Sequence, residues 1–484
     1  MILLAALACT PDPRPTSPEP PTVTATASTT GDTATTRHSG DSSGLDTSEP
    51  AMLTGGCTLA TDHGLRATCD LQRTPDGPIR LVLTRDGVEE QQWDDARGEH
   101  IVWGLAAGGA YTWTATDPGD PSQTLSGSLA PHAGPVVAVP TVTGTLDGAD
   151  AILTQVGCGD TERLVVVDGD GALRWYADPE ALRPGTEKIR GYGLTDTSTV
   201  LAIYDNEQWV ELGFEGEVHQ QVERGTTHGR PFHHDLVRAH GLTYVLDARE
   251  VAHGAGTVVY DGFTVYDAAG IEVASWSAEG HLQPEDGSPC CGHYWKSDFP
   301  NALDFAHSNA MSVDDDGFVY LSYRYIDTIH KIVGDPTDPA FGQVVWSLVG
   351  RADSSVPSDW ALVDPLTAEP TFGSPHHVQP TAAGIRLYDN GWSPARSTRI
   401  LELDLDEGAG TATVSTSVSL GLYCPIQGSA VLLPDGSWLS VCSGDDKVFT
   451  VDPATGERGW ELALTCPDGS EPRPPYRALP ITLP

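Results

Sequence analysis

Three short runs in this chain place histidine beside carboxylate, amide and guanidinium groups. They are Phe232-His233-His234-Asp235, then Asp304-Phe305-Ala306-His307-Ser308-Asn309 with Arg324 further on, then Ser374-Pro375-His376-His377. A neutral imidazole is a competent nucleophile and proton carrier near pH 7. An arginine supplies fixed, planar donors to anionic oxygens. Such a set suits transfer of an electron-poor group with charged oxygens, where positioning and charge stabilisation do most of the work. One histidine in a strand is usually a surface or satisfied core residue. Several at corresponding places, with Asn309 and Arg324, argue for a site. A metal centre is the rival reading, and an arginine makes a poor neighbour for a bound cation.

Each run is followed by a short strand, a glycine turn and a second strand. Phe318-Val319-Tyr320-Leu321 after Asp315-Asp316-Gly317 marks a hairpin. His307 and Asn309, two apart, would share one face of its first strand. His234 and His377 both stand seven residues before their turn glycines, Gly241 and Gly384. Histidines recurring at one place in successive units suggest a shared site built by radial repetition.

A second pattern recurs: apolar strand, acidic-glycine turn, strand ending in an aromatic. It is clear at Leu164 to Trp175, Phe263 to Trp276, Lys331 to Trp346 and Val448 to Trp460, and weaker at Val210 to Val218 and Ile400 to Val414. Six such repeats predict a six-bladed β-propeller over residues 136–484, with the histidine strands innermost. Trp175, Trp276, Trp346 and Trp460 read as packing between strands. His240, His253, His281, His293 and His330 read as loop or strand-end residues without a role.

Upstream, residues 53–133 show short alternating strands and the run Gly104-Leu105 to Tyr111-Thr112-Trp113, which predict a small fibronectin type III-like β-sandwich. Residues 10–52 are rich in Thr, Ser and Pro and predict a disordered tether. Residues 1–9 resemble the end of a secretory leader, with Leu7-Ala8-Cys9 as a lipobox and Cys9 as the acylated residue. The fold class expected is therefore all-β.

The 484 residues carry 67 acidic and 27 basic side chains, a formal net charge of −40. That excludes nucleic acid or an anionic lipid surface as a natural partner. It also makes any cation in a cleft conspicuous. Eight cysteines besides Cys9 suggest disulfides in an exported chain. Cys57 and Cys69 are the expected pair, and adjacent Cys290 and Cys291 either bridge each other or pair separately. No paired C-x-x-C layout suggests structural zinc.

The His-His-Asp run, the Asp-x-x-His-x-Asn run with its arginine, and the later His run before Leu387-Tyr388-Asp389-Asn390-Gly391 resemble the bacterial arylsulfotransferases. These transfer sulfate from an aryl ester rather than a nucleotide. The resemblance covers about residues 157–464 and implies a six-bladed propeller behind a sandwich. It implies that His234 and His307 are active-site histidines and that Asn309 and Arg324 hold the sulfuryl oxygens. It makes the later histidine the sulfated nucleophile, in a ping-pong transfer between phenols. Here Pro375-His376-His377-Val378 departs from the family's Gln-His pattern, so two histidines compete. The spacing to Gly384 favours His377, with His376 the alternate. Asp235 is read as a substrate-side residue or as an orienter of His234.

No cofactor or metal is expected, only a phenolic sulfate donor and a phenolic acceptor. Membrane contact would come through a lipid anchor alone, at the periplasm or cell surface on the outer membrane. A homodimer is compatible with the sequence. The rival functions are a non-catalytic surface lipoprotein binding a glycan or protein, and a metal-dependent propeller enzyme.

Overall fold

The computed structural model describes residues 52–484 apart from 62, 135–138, 160, 178, 187, 197, 226–228, 287–293 and 368–370. The expected leader with Cys9, nearly all of the tether, Cys290, Cys291 and His293 lie outside the described residues. The rest is all-β, as expected. Helix among the described residues amounts to Pro179–Leu182 and the 3-10 turns Pro284–Asp286 and Tyr294–Lys296.

Two sheets open the described chain. Met52–Leu59, Ala67–Thr74 and Gly98–Val102 form one; Val88–Trp93, Arg80–Arg85, Tyr111–Asp117 and Asp120–Leu129 form the other. Alternation builds their shared core. Along Tyr111–Asp117, Tyr111, Trp113 and Ala115 are buried while Thr112 is exposed. They meet Leu71, Leu81, Leu83 and Val102. The expected bridge Cys57–Cys69 is present, joining directly opposed residues of neighbouring strands.

Six further sheets follow among the described residues, each built on four antiparallel strands. The lead strands are Ile189–Leu194, Phe232–Ala239, Ser308–Val313, His376–Pro380, Ser429–Leu432 and Ala478–Ile481, and each contacts the next. Arg477 and Tyr192 close the series into a ring. The Arg477 backbone N–H donates to the Tyr192 hydroxyl at 3.1 Å, and its Nη1 donates to the Tyr192 carbonyl at 3.1 Å. The architecture is propeller-like, and Trp175, Trp276, Trp346 and Trp460 lie in the apolar layers between sheets, as read from the sequence.

Two strands, Ala478–Ile481 and Val139–Thr143, were not legible beforehand. Ala478–Ile481 completes the sheet of Ala151–Cys158, and Val139–Thr143 adds a fifth strand beside Arg458–Thr465. Strands this short carry too few positions to show a period. A Cys158–Cys466 disulfide fastens the same seam, and Cys424–Cys442 ties the loop before Ser429–Leu432 to the strand Trp438–Cys442. Disulfides fit an exported protein. No helix of the described residues is long and apolar enough to cross a membrane. His330 differs from expectation: it lies inside Thr328–Val333, is buried, and packs edge-on against Tyr323.

Four successive lead strands slip register near their starts. The slips fall between Ile189 and Gly191, Phe232 and Leu236, Ser308 and Ala310, and His376 and Gln379. Bulges of this kind bend a strand and re-aim side chains. Here they gather polar groups at one end of the lead strands.

Candidate active site

The backbone sets the histidines first. His234, His307 and His377 adopt φ of 53°, 57° and 47°, in the left-handed region that residues other than glycine rarely enter. The spacing that paired His234 with His377 is thus a real backbone correspondence. His307 belongs to the same set but not to a strand, since its strand starts at Ser308. The expectation that His307 and Asn309 share one strand face therefore fails. A left-handed residue followed by a slipped register destroys the period of two. The Arg324 N–H donates to the His307 carbonyl at 3.0 Å, which ties the arginine's position to the histidine's.

Three imidazoles have Nδ1 tethered by the scaffold. His307 Nδ1 lies 2.6 Å from Asp304 Oδ2. His376 Nδ1 lies 2.7 Å from Asn390 Oδ1 and 3.0 Å from the Ser374 carbonyl. These oxygens accept, so both Nδ1 atoms donate and each neutral ring presents a lone pair at Nε2. His234 reaches the same state through a relay. His233 Nε2 is 3.0 Å from the Asp247 carbonyl and must donate there. Its Nδ1 then accepts from His234 Nδ1 at 2.8 Å, leaving His234 Nε2 unprotonated.

The rings of His234 and His307 are 4.8 Å apart. Burial holds His234 well below the usual imidazole range, helped by the nearby charges of His307, His233 and His376. Burial also brings His376 down to about 3, with Arg324 and His307 contributing. These three imidazoles and Arg324 therefore share one electrostatic neighbourhood. His377 is tethered differently. Its Nδ1 accepts the Ala430 N–H at 3.2 Å, which fixes the opposite tautomer, and after burial its largest influence is Arg477.

Arg324 donates Nη2 to the Pro425 carbonyl at 3.0 Å, packs over Tyr325 and has a buried Nε without a partner. Asn309 is fully engaged in holding the site together. Its amide donates to the Pro375 carbonyl at 2.9 Å and accepts from Ser322 at 2.7 Å. Asp235 is likewise occupied. Its oxygens take a two-point ion pair from Arg477 at 2.9 and 2.7 Å, plus the backbone N–H groups of Leu236 and Met311.

Sequence reasoning gave no definite role to several contributors. Asn390 donates to the Cys424 carbonyl at 2.7 Å and the Gln427 carbonyl at 2.8 Å while orienting His376. The Gln427 N–H in turn lies 3.2 Å from His376 Nε2. Tyr294 packs 4.5 Å from His234, and Tyr325 stacks 4.8 Å from His307. The Asp-x-x-His spacing was the available signal for Asp304, and Asn390 stood in a quoted motif without a role. Tyr294 carried no signal, because it comes from a distant 3-10 turn. Among the described residues no group of three His, Cys, Asp or Glu side chains is arranged to hold a metal ion.

No curated protein matches this chain in sequence. Among solved structures, a Bacteroides caccae protein of unknown function is 11% identical, covering 69% of this chain and 99% of its own with a TM-score of 0.43. A periplasmic gluconolactonase of Pseudomonas aeruginosa is 14% identical, covering 69% and 99% with a TM-score of 0.38. Apo AztD from Citrobacter koseri is 10% identical, covering 83% and 98% with a TM-score of 0.31. The family model for arylsulfotransferase (ASST) matches residues 147–462, a span that holds the histidine runs, Arg324 and Asn390. On that match across most of its length, the chain belongs to the arylsulfotransferase family.

Proposed function

We infer from family membership that the chain is a sulfotransferase acting on small phenolic substrates. We propose that it moves a sulfuryl group from a phenolic sulfate to a phenol, without a nucleotide, through a sulfated histidine and ping-pong kinetics. The observation that carries the mechanism is the tautomer of His376. Its Nδ1–H is held by Asn390, its Nε2 lone pair faces only the Gln427 N–H at 3.2 Å, and the charges of Arg324 and His307 reach the ring.

His376 is therefore the nucleophile in this reading, in place of the His377 favoured by spacing. Nε2 attacks sulfur as the aryl C–O–S linkage breaks at its S–O bond, and the phenolate leaves. Arg324 and the Gln427 N–H, released from Nε2, meet the sulfuryl oxygens. The phenolate leaves as the anion and takes its proton from solvent, while His307, its Nδ1–H held by Asp304, keeps an Nε2 lone pair that can act as a base. In the second half-reaction His234 or His307 takes the proton of the incoming phenol. Its oxygen attacks sulfur, and the N–S electron pair returns to His376. Asn309 and Asp235 position this set rather than touch substrate, since their polar atoms are already engaged.

Six four-stranded sheets closed into a ring support a six-bladed propeller over residues 136–484, and the preceding two-sheet unit at 53–133 supports the fibronectin type III-like sandwich. Export with lipidation at Cys9 and attachment to the outer membrane completes the proposal.

The test is release of nitrophenol from 4-nitrophenyl sulfate with phenol as acceptor, followed by peptide mapping of enzyme quenched with donor alone. Phenol-dependent release and a mass gain of one sulfuryl group on His376 are expected. Release that ignores phenol would identify a hydrolase, and no release with several donors and acceptors would leave a binding protein.

A further inference from the structure

Arg190 occupies the register slip of Ile189–Leu194, the lead strand beside that of His234. A Cβ at the next residue, Gly191, would stand 2.3 Å from the His234 carbonyl oxygen. The two backbones are therefore in contact, and Arg190 is fixed next to the histidine. Its guanidinium carbon lies 5.5 Å from the centre of the Tyr294 ring, which itself lies 4.5 Å from His234. The positive charge reaches both neighbours, lowering His234 and opposing the rise that burial imposes on Tyr294.

Among the described residues no carboxylate pairs with Arg190, and its Nε is buried without a partner. That sets it apart. Arg224, Arg238, Arg386 and Arg399 all meet aspartate or glutamate. The charge of Arg190 reaches the buried Glu162, but no ion pair forms among the described residues, so the guanidinium stays available to an anion from outside. Arg324 stands with His376 and already answers the charge of the sulfuryl group. Arg190 is a second cation on the His234 and Tyr294 side, where the ring of a bound phenol finds an aromatic wall.

Building on the sulfotransfer reading, we propose that Arg190 recognises a second anionic group on the aromatic substrate, so that phenols bearing a carboxylate are the preferred class. A guanidinium binds a carboxylate through two parallel hydrogen bonds, and the partly buried setting strengthens them. The uncharged face of the ring rests on Tyr294, and the phenol oxygen is left toward the imidazoles.

The experiment measures kcat/KM for 4-hydroxyphenylacetate and for phenol, with 4-nitrophenyl sulfate as common donor, in the full chain and in Arg190→Gln and Arg190→Lys. The readout is the ratio of the two acceptors. Wild type should favour the carboxylated phenol, and Arg190→Gln should lower the ratio by about tenfold or more, as expected for losing a charge-assisted contact. Arg190→Lys should fall between, and added salt should narrow the wild-type preference. An unchanged ratio in Arg190→Gln, or no preference in wild type, would overturn the assignment while leaving sulfotransfer intact. Transfer to neither acceptor would overturn both.

Discussion

Asn390 holds His376: its Oδ1 lies 2.7 Å from the imidazole Nδ1, while its Nδ2 donates to the carbonyls of Cys424 and Gln427. One fully buried amide thus fixes the tautomer of the proposed nucleophile and the course of the loop that touches its other nitrogen. The arrangement parallels the partner group that orients a catalytic or metal-bound imidazole.

Replacing Asn390 by alanine should lower kcat by about ten- to a hundredfold with a smaller change in KM, because the ring loses its orientation rather than its substrate contacts. Steady-state kinetics checks this. A loss confined to KM would remove Asn390 from this role.

His376→Ala should cost about a thousandfold or more in transfer and abolish the sulfated peptide. His377→Ala should keep the sulfated peptide on His376. The opposite pattern would restore His377 as nucleophile.

Cys424 and Cys442 are joined, and the loop from Cys424 to Gln427 receives Asn390 and Arg324 on its carbonyls. Reduction, or Cys442→Ser, should loosen these anchors and depress kcat while leaving the other sheets folded. Circular dichroism beside an activity assay tests it. Full activity in the reduced protein would show that packing alone holds the loop.

Asp235 and Arg477 form a buried two-point pair between the first histidine strand and the segment before Ala478–Ile481. Removing one partner leaves an uncompensated charge, so Arg477→Met should destabilise by about 3–5 kcal/mol in denaturant unfolding. Adding Asp235→Leu should recover part of that loss. A fully additive double variant would argue against the pair.

Acid should weaken the fold. Burial lowers His233 to about 4 and His330 and His376 to about 3. Each lies below its unfolded value, so its stabilisation is complete above pH 6.5 and is lost as pH falls toward these values. Between pH 7 and 5 each contributes a loss of about 2 kcal/mol. Asp327, raised by burial to about 6, and Asp261, pushed upward by burial and by Asp304, act in the opposite sense. His234 and His377, also lowered by burial, make five buried imidazoles against Asp327, Asp261, Glu162 and Asp168, so the unfolding midpoint should drop from pH 7 to pH 5. Over the same range the neutral His376 predicts no loss of kcat/KM from nucleophile protonation, which a pH–rate profile checks.

The sequence by itself determined the strands, the recurrence of polar runs at their starts, the chemistry those residues carry, and the family. Those are local properties: alternation, turn glycines and residue type are written in consecutive positions. It left the proposed nucleophile open between His376 and His377, which differ in which ring nitrogen meets Asn390 and which meets the Ala430 N–H. It could not assign Asp235 or Asn309, whose polar atoms are taken by Arg477 and Pro375 from far along the chain. Nor could it bring Arg190 and Tyr294 beside His234. Register slips and left-handed residues aim side chains, and ring closure brings distant strands together. Both arise only when the sheets pack, so only the tertiary structure made these residues one site.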